Sequence, residues 1–500
     1  MRAASRMLAL DLGAESGRAI LGELDGERLT LEEVRRFPNG GIEVGGRLHW
    51  DVLRLWSEVA GSVVSAAGSG ELHSIGVDSW GVDYGLLDAR GRLLGNPVHY
   101  RDRRTEGMLE RALALVPKLE LYERTGIQFM PINTIYQLLA QVLDEDPQLE
   151  LAAHLLFVPD LMHYWLTGVM ASEGTIASTS QCYDPRAAGW ARDVLRRLGI
   201  PQAMFEPVIP AGTDLGPLGA ALRDQVRCRD CRVVAPGSHD TASAVVAVPF
   251  EPGVPSAYIS SGTWSLVGVE VREPVMSAAA LGHNLSNEGG VGGRIRLLRN
   301  VMGLWLLQEC RRALAAGGRE PSYSQLLSKA EAAHEPAGLI DPDQEAFLRP
   351  GDMPALIRQF CRGHGEPEPA DPGALVRTIL QSLALKYRFV VERLEEVTGT
   401  PISAVHVVGG GARISLLCQM TADACARPVL AGPVEATAAG NLLVQAMAQG
   451  ELASLEEARD VVRRSFSIDR YEPAADRAYW DDAWGRFQRL LAGVGSSAGA

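Results

Sequence analysis

One local pattern constrains this chain more than any other. A strand, a turn of small residues and a second strand occur near the start and recur past the midpoint. The first copy is "MLALDLGAESGRAILGEL", and the second is "SAYISSGTWSLVGVEV" at 256–271. In each copy, short apolar runs flank glycine, serine, threonine or alanine, which reads as a hairpin. "LTLEEVRRF" adds a third strand to the first copy across the turn "DGER". Each copy is followed by a further strand and helices, so the chain reads as α/β with two related halves.

Helical spacing of apolar residues marks "HWDVLRLWSEVAGSVVSAA". "SIGVDSWGVDYGLLD" returns to strand, and "GMLERALALVPKLELYERTG" reads as one helix ended by Gly126. "DPGALVRTILQSLALKYRFVVERLEEVTGT" predicts a long amphipathic helix, capped by Asp371 and closed by Gly399. "AVHVVGGGARISLLCQMTADACA" reads as strand, glycine turn and helix, and the tail "GVGSSAGA" is expected to be unstructured.

Composition narrows the function. At 500 residues, more than one domain is expected. Apolar residues at 46% and charged residues at 22% suit a globular chain with a large core. A net charge of −13 without a basic stripe argues against nucleic acid as a partner. No apolar run reaches the roughly 18 residues of a membrane span, and the start has no secretory signal, so a cytoplasmic protein is expected. Seven scattered cysteines make no disulfide framework. Cys228 and Cys231 form C-x-x-C in "CRDC", but the second pair a zinc site needs is missing, so they read as chance thiols.

Six stretches carry residue types with chemical potential. In "DLGAESGR", Gly13, Ala14 and Gly17 let a backbone turn approach phosphate oxygens, Ser16 offers a hydroxyl and Arg18 a charge. No P-loop lysine is present, so a magnesium ion beside Asp11 is the expected counter-charge; a plain hairpin with a solvated aspartate is the other reading. "SSGTWS" at 260–265 is a second such turn, with Thr263 among its donors. "VVGGGAR" places Gly409, Gly410 and Gly411 between strand and helix without satisfying G-x-G-x-x-G. It suits a flat platform for a nucleotide or simply a tight turn. In "APGSHDTASAV", Ser238, His239 and Asp240 are neighbours and cannot converge as a hydrolytic triad. Asp240 suits a general base or a helix cap. "DSWGVDYG" puts Trp80, Gly81 and Asp83 together, the residue types that grip a sugar, or core tryptophan plus a turn aspartate. Asn300 in "LRNVMGLWLLQE" reads as the start of an apolar helix, either a cap or a ligand.

Taken in order, "DLGAESGR", "DSWGVDYGLLD", "YRDRRT", "GIQFMPINTIYQL", "SHDTASAV", "YISSGTWSL", "NEGGVGGRIRLLRNVMGLWLLQ" and "GPVEATAAGN" resemble the FGGY family of carbohydrate kinases along nearly the whole chain. The resemblance implies an α/β fold of two actin-like, ribonuclease H-like lobes with a cleft between them: residues 1–245 mainly for sugar and 246–490 mainly for ATP. It implies ATP-dependent phosphorylation of L-rhamnulose to its 1-phosphate, with Mg²⁺. Kinases for L-fuculose, L-ribulose or D-xylulose and a non-kinase actin-like ATPase are the alternatives. Carried over by motif, Asp240 is the base. Gly81, His239, Thr241 and Asn300 touch the sugar beside Trp80 and Asp83. Ala14, Glu15, Ser16, Gly17 and Arg18 line the phosphates; Thr263, Gln308 and Gly409 to Gly411 hold the nucleotide. Glu15 departs from the small or hydroxyl residue expected there. Sugar and ATP are the expected partners, on a monomer or homodimer.

Overall fold

The computed structural model describes residues 4–226, 230–315, 321–333, 337–474 and 477–496. The chain divides into two compact units that interleave along the sequence. The first comprises residues 1–249, 270–298 and 435–466; the second comprises 250–269, 299–434 and 467–500.

The first unit is built on a six-stranded sheet. Strands Ser5–Leu12 and Ser16–Leu24 form the expected antiparallel hairpin, and Leu29–Pro38 extends it at the edge. On its other side, Ser5–Leu12 pairs in parallel with Ser74–Ser79, which pairs in parallel with Arg232–Ala235; Thr213–Pro217 closes that edge antiparallel. Ser5–Leu12 is buried on both faces from Met7 onward, as its near-continuous apolar run requires of a central strand. The edge strand Leu29–Pro38 is instead mostly exposed or half-buried.

The second unit repeats this connectivity. Ser256–Ser261 and Trp264–Val271 form the hairpin. The first of them pairs in parallel with Ala404–Val408, then Val429–Ala431 follows in parallel and Asp469–Tyr471 antiparallel. The helix Pro372–Thr398 is capped as expected: the Asp371 carboxylate accepts from the N–H of Gly373 and Ala374, and Gly399 sits at φ 66° after its end.

Several sequence expectations change. The single helix expected over 107–126 is two, Met108–Leu115 and Lys118–Thr125. Pro117 removes an N–H donor and forces Val116 into extended backbone at φ −128°, ψ 112°. The stretch 74–88 is not one strand: Ser74–Ser79 and Tyr84–Leu87 are separated by a turn in which Val82 adopts φ 68°. Asn300 does not start a helix; it lies within strand Ile295–Met302, and the helix begins at Trp305. The terminal helix Ala478–Ser496 takes in the first half of the tail expected to be unstructured. Cys228 lies outside the described residues, while Cys231 is buried just before strand Arg232–Ala235.

The helix Ala436–Ala448, carrying "EATAAGN", packs into the first unit. Its side chains satisfy buried backbone and polar groups of the sheet. Ser74 Oγ donates to Gln445 Oε1 at 2.6 Å, and Gln445 Nε2 donates to the Leu8 carbonyl at 3.1 Å. Close approach is possible because glycines line the contact: a Cβ on Gly76 would lie 2.5 Å from Asn441 Oδ1, and one on Gly440 only 1.8 Å from the Ser243 carbonyl oxygen. The latter contact joins this helix to the short helix Asp240–Val246.

Gly440→Ala is therefore expected to destabilise the protein by about 3 kcal/mol, because backbone rather than a yielding side chain must move. Denaturant unfolding measures this, and a loss below about 0.5 kcal/mol would contradict the contact.

Candidate active site

In the first unit the loop Gly13–Ser16 is drawn tight by a hydrogen bond from the Gly13 N–H to the Ser16 carbonyl at 3.1 Å. Asn39 fixes it from outside: its Nδ2 donates to the Gly13 carbonyl at 2.8 Å, and its N–H donates to the Glu15 carbonyl at 2.8 Å. The Ala14 N–H has no hydrogen-bond partner among the described residues. Gly17 admits no side chain, since a Cβ there would lie 2.1 Å from the Phe37 ring. The hairpin register sets Asp11 opposite Arg18, and their side chains pair at 2.7 Å. Arg18 also pairs with Glu435 at 2.6 Å, at the head of helix Ala436–Ala448.

The parallel register sets Asp11 beside Asp78. Both are buried. Burial raises the Asp11 carboxyl to about 6; Arg18 pulls it down, and Asp240 and Glu435 push it up. Burial also raises Asp78 well above the usual range, with the Asp11 charge adding and the hydrogen bond from Asn441 Nδ2 at 2.6 Å opposing. Burial outweighs the guanidinium at Asp11 because Arg18 is shared between carboxylates and itself remains partly exposed.

Asp240 joins this group from the segment 238–240, which is held from two sides. The Ser79 N–H donates to the Ser238 carbonyl at 2.9 Å, and residues 79 and 239 form a parallel bridge. The buried Glu173 carboxylate accepts from the Ser238 N–H at 3.1 Å, while Thr175 Oγ1 accepts from the His239 N–H at 3.1 Å. Asp240 is the first residue of its helix, but its carboxylate caps no backbone N–H. Oδ1 accepts from Thr241 Oγ1 at 3.0 Å and faces His239 Nε2 at 3.5 Å; Oδ2 accepts no hydrogen bond among the described residues.

An aromatic platform adjoins the same strand end. Trp80 lies 4.1 Å from Trp50 between ring centroids, and Trp50 stacks on His99 at 4.1 Å. Asp83 ties them together. Its Oδ2 accepts from Trp50 Nε1 at 2.5 Å, Trp80 Nε1 at 2.9 Å and the Tyr100 N–H at 3.3 Å; its Oδ1 accepts from Gln137 Nε2 at 3.1 Å. Both oxygens are engaged, so Asp83 acts on its surroundings by orienting Trp80. Gly81 is hemmed in by Thr179, 3.0 Å from where a Cβ would sit. Thr179 Oγ1 also accepts from the N–H of Val82 at 3.1 Å, holding the left-handed turn.

In the second unit, the turn 261–264 is stitched to the start of helix Trp305–Ala315. The Thr263 carbonyl accepts from the N–H of Gly303 at 3.1 Å and Trp305 at 3.2 Å. Gln308 follows one turn later, and its Oε1 is buried without a hydrogen-bond partner among the described residues. The glycine turn lies directly against the same hairpin: a Cβ on Gly411 would lie 2.1 Å from Ser261 Oγ, and Gly409 holds φ 81°. Thr263, Gln308 and Gly409 to Gly411 thus cluster in one unit, where Asn300 also lies. Asp11, the 14–18 loop, Gly81, His239, Asp240 and Thr241 cluster in the other.

Residues 6–247 match the N-terminal domain, and residues 257–449 the C-terminal domain, of the FGGY family of carbohydrate kinases. The chain belongs to this family. A rhamnulokinase of Bacteroides thetaiotaomicron is 42% identical over 97% of this chain and 99% of its own length. A rhamnulokinase of Pectobacterium carotovorum is 41% identical over 98% of this chain and 97% of its own length. In fold, the chain is similar to the crystal structure of gluconate kinase from Lactobacillus acidophilus, with a TM-score of 0.79, 15% identity and coverage of 100% and 99%. The fold is thus the α/β fold of FGGY sugar kinases.

Sequence reasoning did not single out Trp50, Gln137, Glu173, Glu288, Arg296, Glu435 or Asn441. Five of these lie inside stretches that carried the family resemblance: Gln137 in "GIQFMPINTIYQL", Glu288 and Arg296 in "NEGGVGGRIRLL", Glu435 and Asn441 in "GPVEATAAGN".

Burial lifts the Asp83 carboxyl to about 6 from 3.8, with the indole and amide donors opposing. The folded state therefore holds this proton more tightly than the unfolded chain. The stabilisation is fully present below about pH 4 and is lost as pH rises through about 6, roughly 3 kcal/mol in all. Asp83→Asn should flatten this part of the stability profile between those pH values. Denaturant midpoints across that range test it, and an unchanged slope in the variant would refute the assignment.

Proposed function

We propose that this kinase transfers the γ-phosphoryl group of ATP to the C1 hydroxyl of L-rhamnulose, giving L-rhamnulose 1-phosphate and ADP. The observation that carries the substrate is the near full-length likeness to rhamnulokinases, coverage that leaves no large insertion to alter the site. We place it in the cytoplasm, acting on sugar and ATP as a monomer or homodimer.

Asp240 is the general base in this reading. Its Oδ2 is uncommitted while Oδ1 is oriented by Thr241, so one oxygen is left to take the hydroxyl proton as the oxygen attacks. In this reading Trp80, oriented by Asp83, and the backbone of Gly81 lie beside the sugar. His239, Thr241 and Asn300 complete the sugar contacts. The loop Ala14, Glu15, Ser16, Gly17 and Arg18 faces the transferred phosphate with backbone N–H groups, a hydroxyl and a guanidinium. Thr263, Gln308 and Gly409 to Gly411 hold the rest of ATP. On this assignment residues 1–245 serve mainly the sugar and 246–490 mainly the nucleotide.

The chain's residues also fit Mg²⁺. Arg18 pairs with both Asp11 and Glu435, while Asp78 and Asp240 add negative charge around Asp11, whose carboxyl burial raises to about 6. No group of three or more acidic, cysteine or histidine side chains able to cage a metal occurs among the described residues. An ion here would be held by one or two carboxylates, substrate phosphates and water. Asp11 would hold it, and the ion would neutralise charge on the phosphates. Arg18 keeps Asp11 oriented by pairing across the hairpin.

ADP release with Mg²⁺, ATP and each of L-rhamnulose, L-fuculose, L-ribulose and D-xylulose tests the substrate. A clear preference for L-rhamnulose is expected, and a preference for another ketose moves the specificity while keeping the chemistry. Asp240→Asn should keep the fold and nucleotide binding but lower kcat by at least about a hundredfold. Near-normal turnover in that variant would remove Asp240 as the base.

A further inference from the structure

We infer that Glu288 and Arg296 are positioning residues for phosphoryl transfer, acting through His239 to hold its Nε2–H toward Asp240. This rests on the reading of Asp240 as the base. Arg296 is fully buried, and its Nη2 lies 3.0 Å from His239 Nδ1. A guanidinium only donates, so Nδ1 accepts. The neutral ring then carries its proton on Nε2, the nitrogen facing Asp240 Oδ1 at 3.5 Å. That N–H and the Thr241 hydroxyl both address Oδ1, which leaves Oδ2 for the sugar hydroxyl.

Two further contacts fix the guanidinium. Arg296 Nε donates to the Gly289 carbonyl at 2.8 Å, which sets its plane. Glu288 Oε2 lies 3.2 Å from Arg296 Nη2 and 3.2 Å from His239 Nδ1, offsetting the buried positive charge beside the imidazole. Strands Ser286–Gly289 and Ile295–Met302 bring Glu288 and Arg296 opposite each other in register. The backbone of residues 238–239 is held separately by Glu173, Thr175 and Ser79, so this pair governs the ring and not the path of the chain. A buried ion pair is a poor source of stability relative to apolar residues of the same volume. Orientation of the ring is what this one supplies.

The test is a pair of double-mutant cycles with L-rhamnulose and ATP, using Glu288→Gln, Arg296→Lys and His239→Gln, each combined with the last. Glu288→Gln and Arg296→Lys should each lower kcat about tenfold while leaving the KM for ATP within about twofold. In the His239→Gln background the same substitutions should cost less than about twofold, because the ring they orient is gone. Equal losses in both backgrounds would overturn the inference, as would loss of cooperative unfolding in both single variants, which would make the pair a scaffold element. Asp240→Asn separates the two levels: its full activity removes the base itself, whereas its inactivity together with additive cycles removes only the positioning role.

Discussion

The structure turns on an imbalance of buried charge at the end of the first sheet. Parallel pairing sets Asp11 beside Asp78, and Asp240 adds a third carboxylate from a segment far along the chain. Ions taken out of water cost several kcal/mol each unless partners replace the lost solvation. Here the partners are few and come from specific places. Arg18 comes from the return strand of the same hairpin, and the Asn441 amide from a helix more than three hundred residues later. The hairpin register and the return of residues 435–466 to the first unit are two answers to the same electrostatic demand. Arg18 links them, since it also pairs with Glu435 at the head of that helix.

That demand explains why the return helix is so closely fitted. Asn441 and Gln445 must reach through the sheet's face to Asp78, the Gly76 carbonyl and the Leu8 carbonyl. Amide side chains are short, so the helix axis must lie near the strands. Gly22 and Gly76 on the sheet clear the space against Leu442, Asn441 and Gln445. The same approach seats Ser243, and with it the helix that begins at Asp240, against Gly440. Placement of Asp240, the residue proposed as the base, is therefore a consequence of how the sheet solvates its own carboxylates.

Much of this was legible in the sequence wherever the signal was local. Both hairpins were visible because small-residue turns interrupt short apolar runs, and the long helix was visible because Asp371 and Gly399 mark its ends. Asp11 and Asp240 drew notice as carboxylates beside glycine-rich or helix-starting segments. What stayed hidden was partnership. Nothing near Asp83 announces Trp50 or Gln137, and nothing near His239 announces Arg296, because such contacts join positions tens of residues apart. Asn300 was misread for a different reason. "LRNVMGLWLLQE" is apolar on both sides of Gly303, so periodicity alone cannot divide strand from helix. The structure divides them at Gly303, where a Cβ would lie 2.5 Å from Ser265 Oγ.

The two units show how one connectivity supports different chemistry. Each has an antiparallel hairpin whose first strand pairs in parallel with a distant strand, followed by another parallel and an antiparallel neighbour. In the first unit, Asp11 and Arg18 pair one step from the turn, and Asp78 is the parallel neighbour of Asp11. In the second, Ser260 and Ser261 pair with Leu266 and Ser265, and Ser260 has Val408 as its parallel neighbour. The backbone scaffold is shared, but the first hairpin carries ionised groups and the second carries hydroxyls and neutral neighbours. A neutral turn packed on glycines allows close backbone approach without placing a charge nearby. A charged one fixes ions at the cost of burying them. The division of side chains between the hairpins follows this difference: the first unit holds the residues proposed as base and phosphate-facing loop, and the second holds those proposed to hold the rest of ATP.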